Sequence, residues 1–115
     1  MRLRFSLSLA DVPPKANGAR RRSPVLEGYT RDVSATGLAL ILPAIRLGEH
    51  YLTGEGRTLH VVLEFPSGTI EMNVIPVRYE RLDESETEKG YLIGASITEM
   101  SDHDRARLKA GMRDE

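Results

Sequence analysis

The side chains with the most chemistry to offer stand in three places. Asp32-Val33-Ser34-Ala35-Thr36-Gly37 sets a carboxylate and a hydroxyl two residues apart, with a glycine three residues after the serine. Such a spacing has two uses. Asp and Ser beside a turn that glycine permits can cap their own backbone. They can equally face a ligand: a carboxylate accepts a pair of N–H donors, such as those on the edge of a guanine, and a hydroxyl donates to a phosphate oxygen. Arg20-Arg21-Arg22 lies a dozen residues upstream. A guanidinium fork binds two phosphate oxygens at once, and its plane stacks on bases; the plainer use of the run is a solubilising loop. Arg4, near the N-terminus, is a further cation or an ordinary outward-facing strand residue. Taken together, Arg4, Arg20, Arg21, Arg22, Asp32, Ser34 and Gly37 describe an anion site shared between a basic arm and a rigid turn.

The remaining reactive groups do not assemble into an enzyme. His50, His60 and His103 are scattered, and none has a second histidine at metal-ligand spacing. No glycine-rich phosphate loop is present, and Ser34 has no evident general base. Asp83, Glu84, Glu86 and Glu88 read as a solvated hairpin loop. His60 reads as a surface or satisfied strand histidine. The expectation is a non-enzymatic protein without metal or cofactor.

At 115 residues, with 40% hydrophobic and 29% charged side chains, the chain is expected to form one globular domain spanning 1–115. It has no cysteine, so it has neither disulfides nor thiolate metal sites. No apolar run approaches the roughly 20 residues that span a bilayer, and the start, MRLRFSLSLAD, alternates too strictly for a signal peptide. A cytoplasmic location without membrane insertion is the expectation. The net charge of −1 conceals an imbalance. Residues 1–31 carry seven Lys/Arg against two acidic side chains, and residues 80–115 carry ten acidic against six basic. A local basic excess fits a small phosphorylated ligand. Binding to a long nucleic acid would call for a broader basic surface and stacking aromatics, and the chain has no Trp and six aromatics in all.

The elements that must position these groups follow from periodicity. RLRFSLSL puts Leu3, Phe5, Leu7 and Leu9 on one face and predicts a half-buried strand. DVPPKANGARRRSP is a loop. VLEGYTRDV and LALIL are strands either side of the SATG turn. PAIRLGEHYLTGEG is expected to be an irregular loop with at most one helical turn. RTLHVVLEF and TIEMNVIPVRYERL are strands joined by a Pro-Ser-Gly turn. Pro76 lacks an N–H and therefore predicts an edge position or a bulge. YLIGASI is the last strand. A helix follows over about 101–112, with Ser101 as N-cap, Asp104 three residues on, an acidic first turn and a narrow apolar stripe of Ala106, Leu108 and Met112; Gly111 is expected to end it early. Six strands joined by hairpin turns predict an all-β antiparallel barrel or sandwich, occupying about 2–98.

RDVSATGLAL, with the apolar run after its glycine, resembles the Asp-x-Ser-x-x-Gly element of PilZ domains. IPVRYERLDESETEKGYLIGASITEMSDHDRARL is similar to the last two strands, acidic hairpin and polar-capped terminal helix of the same family. The likeness runs from about Arg2 to Leu108. It implies a six-stranded antiparallel β-barrel with a C-terminal α-helix, and a bacterial signalling domain that binds cyclic di-GMP and relays the message to an effector protein. In that family an Arg-x-x-x-Arg element upstream of the turn wraps the phosphates and stacks on the guanines. Asp32, Ser34 and Gly37 match the turn. No Arg-x-x-x-Arg spacing precedes Asp32 here: Arg4 takes the place of the second arginine, and Arg20, Arg21 and Arg22 fall in the loop between the first two strands. The alternative is a degenerate PilZ-like module that binds a protein partner and no nucleotide.

Overall fold

The computed structural model describes residues 2–11, 25–47, 50–82 and 90–113. Arg20, Arg21 and Arg22 and the acidic hairpin loop lie outside the described residues.

Alternation becomes a wall of strands. β1 (Arg4–Leu9), β2 (Leu26–Val33), β3 (Gly37–Leu42), β6 (Leu59–Phe65), β7 (Gly68–Leu82) and β8 (Gly90–Glu99) close a barrel in the order β1-β2-β3-β8-β7-β6, with every pairing antiparallel. Phe5, Leu7, Leu40, Leu42, Leu59, Val61, Leu63, Ile70, Val74 and Ile93 point inward and are essentially inaccessible to water. Burying each such side chain contributes about 1.5–3 kcal/mol. Among the described residues no buried side-chain polar atom lacks a hydrogen-bond partner. His60 bridges β6 to β7, with Nδ1 3.1 Å from Asn73 Oδ1 and Nε2 3.0 Å from Glu71 Oε1.

Three expectations change. The segment after β3 is not irregular throughout: β4 (Arg46–Leu47) and β5 (His50–Tyr51) form a small antiparallel ribbon. Two-residue strands carry no alternation to read. The ribbon is held by Leu47 and Leu52, which are buried in the barrel core. Gly111 does not end the helix. α1 runs Asp102–Arg113, and Gly111 sits inside it where a Cβ would stand 2.7 Å from the Phe65 ring. The close approach of helix to β6 selects glycine there. The rest of the anchorage also differs from a three-residue apolar stripe. Leu108 is fully buried, but Ala106 is exposed. Arg107 supplies the other hold, donating to Thr69 O at 2.8 Å and Ser67 O at 3.4 Å. The N-terminus is as read: Ser101 Oγ accepts the Asp104 N–H at 3.1 Å. Pro76 lies at a register shift of β7 opposite β8, which places it at a bulge.

The registers sort the molecule into two rims. One rim gathers the start of β1, the β2–β3 turn, the β6–β7 turn, the end of β8 and α1. The other gathers the end of β1, the start of β2, the β4–β5 ribbon and the start of β8. Asp11 and Val25, the described residues flanking the basic loop, therefore stand at the second rim, while Asp32 stands at the first. Seven residue steps lead from Val25 to Asp32, roughly 23 Å at 3.3 Å per residue.

Candidate functional site

The Asp32–Gly37 turn is built by its own serine. Ser34 N–H donates to Gly37 O at 2.9 Å. Ser34 Oγ donates to the same carbonyl at 3.1 Å and accepts the Gly37 N–H at 3.1 Å and the Thr36 N–H at 3.4 Å. The hydroxyl thus replaces backbone partners that a turn of this length would leave exposed. Gly37 serves packing: a Cβ would lie 2.7 Å from Ala95 O on β8. The turn is also stitched to β8 by Ile97 N–H donating to Thr36 O at 2.9 Å.

Asp32 owes its exposure to a bulge. Thr30 pairs with buried Leu40 and faces the core, and in an unbroken strand Asp32 would face the same way. The register shifts between Thr30 and Asp32, and Asp32 pairs with Ala39 on the outer face. Arg31 and Asp32 are therefore consecutive and both exposed. No described hydrogen bond or ion pair engages the Asp32 carboxylate, in contrast to the self-engaged Ser34.

Arg4 reaches the same wall from β1, where it pairs in register with Tyr29. Its guanidinium is 3.3 Å from Glu27 Oε2, with the two side chains 59% and 65% exposed. A pair so open to water holds by well under about 1 kcal/mol and can be exchanged for a better anion. Arg2 was not singled out in the sequence, and its guanidinium lies 4.6 Å from the centre of the Tyr29 ring. The signal that could have found it is its position two residues before Arg4, on the same strand face. Residues 2 and 3 are held in place by Thr30, the one buried polar side chain among the described residues. Its Oγ1 accepts the Leu3 N–H at 2.8 Å, and its own N–H donates to Leu3 O at 2.8 Å. Arg2, Arg4, Tyr29, Arg31 and Asp32 thus share the outer wall beside the turn. It is a cationic, aromatic surface with one open carboxylate at its edge.

The structure brings Arg4 to the wall that leads to Asp32, Ser34 and Gly37; Arg20, Arg21 and Arg22 lie outside the described residues. Among the described residues no three His, Asp or Glu side chains gather as a metal-binding group. No helix there is long and apolar enough to cross a membrane.

No curated protein and no solved structure matched the chain. The family model of the PilZ domain matches residues 3–114, nearly the whole length. That family comprises signalling domains that bind cyclic di-GMP and act as adaptors, not as catalysts. A closed six-stranded antiparallel barrel, a terminal helix and an Asp-x-Ser-x-x-Gly turn agree with the match, and the chain belongs to the PilZ domain family.

Proposed function

We propose that this domain binds cyclic di-GMP on the outer wall beside the Asp32–Gly37 turn and passes the signal to an effector protein. The observation that carries the reading is Asp32: a carboxylate turned outward by a bulge, without an internal partner among the described residues, at the edge of a wall bearing Arg2, Arg4 and Arg31. Asp32 accepts the paired N–H donors of a guanine edge. Ser34 and Gly37 keep the turn in shape, with the Ser34 hydroxyl also close to a phosphate. Arg4 and Arg2 bind phosphate oxygens and stack on a base, much as Arg2 lies over the Tyr29 ring. The reading does not depend on Arg20, Arg21 and Arg22, on a loop whose described flanks stand at the other rim.

Relay follows from the stitching. Thr36 is bonded to Ile97, and β8 leads within a few residues to the Ser101 cap of α1. Closing the turn on a ligand pulls on the strand that feeds the helix, so the helix rim is the part an effector would sense.

Calorimetric titration with cyclic di-GMP tests the proposal. Wild type binds in the micromolar range or tighter, and Asp32→Ala abolishes the heat while keeping the melting temperature. Each charge-assisted arginine contact is worth roughly 1.5–3 kcal/mol, so Arg2→Ala/Arg4→Ala weakens binding by about two to four powers of ten. Absence of heat from the wild type at high micromolar ligand would sink the proposal. One observation favours a second reading, a protein-interaction module without nucleotide: no Arg-x-x-x-Arg spacing precedes Asp32. That reading gives no heat and a specific protein partner.

A further inference from the structure

β7 is fifteen residues long, but β6 covers only Gly68–Val74. From Ile75 to Leu82 the strand pairs with β8 alone, so among the described residues its other side is an open edge. Beside the charges usual on an edge, it exposes large apolar side chains. Ile75, Val77 and Tyr79 are 40%, 64% and 55% exposed. Tyr79 stands opposite Ile93, which is fully buried, yet it faces water because no described strand lies beyond it. A shallow cleft of about 380 Å³ runs along it, lined by Thr53 and Pro76–Tyr79.

We propose that this edge pairs antiparallel with the same edge of a second copy, about a two-fold axis through Tyr79. Opposite charges on either side of Tyr79, at Arg78 and Glu80, point to a second copy as occupant, and the register argument selects the centre. Residues directly opposite across a continuous sheet share a face, so a two-fold axis must pass through a residue and not between two. Centring on Arg78, Glu80 or Arg81 sets like charge against like charge at the axis. Ile75 and Pro76 lie too close to the part of β7 that β6 occupies. Val77 is the surplus residue of the bulge between Pro76 and Arg78. Leu82 is buried at the end of the strand. Tyr79 remains. Centred there, Arg78 faces Glu80 of the second copy, Glu80 faces its Arg78, and the two Tyr79 rings meet. Val77 lies against the aliphatic stem of the opposite Arg81. Unpaired, Arg78 lies across Gly94 of β8, so closely that a Cβ there would meet Arg78 Cγ at 3.1 Å, and it swings from there toward the edge on pairing. The pairing joins two barrels at the rim away from the proposed nucleotide site and does not depend on nucleotide binding.

The test is sedimentation equilibrium on the full chain across the micromolar range. Wild type is dimeric. Arg78→Glu sets a carboxylate against Glu80 of the second copy, and Glu80→Arg sets a guanidinium against its Arg78. Each variant loses dimerisation at least roughly tenfold, since two contacts turn repulsive by symmetry. An equimolar mixture of the two variants restores opposite charges at both contacts and forms a heterodimer. Hydrogen exchange supplies an independent reading: amides of Val77–Arg81 in the wild type gain protection as concentration rises. A wild type that stays monomeric overturns the proposal, leaving the edge to a different chain. So does a single variant as dimeric as wild type, or a mixture that stays monomeric while wild-type amides show no protection at this edge.

Discussion

Ser34 and Asp32 sit two residues apart and stand in opposite relations to the fold. Ser34 spends its hydroxyl on the Gly37 carbonyl and on two turn N–H groups, whereas the Asp32 carboxylate bonds to none of the described residues. Replacing each therefore separates architecture from recognition. Ser34→Ala removes these bonds at an exposed site and costs about 0.5–1.5 kcal/mol, a drop of a few degrees in melting temperature by circular dichroism. Asp32→Ala leaves the melting temperature unchanged. A serine variant as stable as wild type would show that the hydroxyl is not what holds the turn. The arginines divide in a similar way. Arg2 and Arg4 stand on the wall of the proposed site, while the described flanks of the Arg20–Arg22 loop stand at the far rim.

At the scale of elements, α1 is held by contacts that helix propensity opposes. Alanine is worth about 1 kcal/mol more than glycine in a helix interior, so Gly111→Ala would stabilise a free helix. Here its Cβ would press on the Phe65 ring at 2.7 Å. The expected outcome is net destabilisation, with overpacking costing about 1–3 kcal/mol and read as a lower urea midpoint; a raised midpoint would show that the ring yields freely. The same contact explains why the length of α1 was illegible: glycine is a stop signal in sequence and a packing residue in space. The six barrel strands, the β6–β7 turn, the bulge at Pro76 and the Ser101 cap were legible because each has a local cause, alternation or turn chemistry. The β4–β5 ribbon was not, since two residues cannot alternate. The Asp32 motif was legible as a motif. Its outward aim was not, because the surplus residue beside it shows only once β2 is laid against β3.

For the whole molecule, the two rims divide the labour. The turn, Arg2, Arg4 and α1 occupy one, and the β4–β5 ribbon with the open half of β7 lies toward the other. The second rim is tied together by Asp11. Its carboxylate accepts the Thr58 N–H at 2.9 Å and an Arg57 N–H at 2.7 Å, while Arg57 Nε donates to Tyr51 O at 3.0 Å. Burial pushes the Asp11 pKa up, but the Thr58 hydrogen bond and the Arg57 guanidinium outweigh it and hold the group below its ordinary value. A depressed carboxylate stabilises the fold above its unfolded pKa, and that contribution is lost as pH falls through the folded value. Asp11→Asn should thus cost about 1–2 kcal/mol at pH 7, and the gap to wild type should narrow below about pH 4. Urea melts at neutral and acid pH measure it, and an unchanged gap would exclude an ionic contribution from the tie. Arg31 offers the barrel something different: slack. Remove a residue from the regular part of β2 and every side chain beyond the cut changes sides. Remove Arg31, and Thr30 and Asp32 close into an unbroken ladder with the registers they already have. Here the strand can lose a residue while its carboxylate keeps facing out.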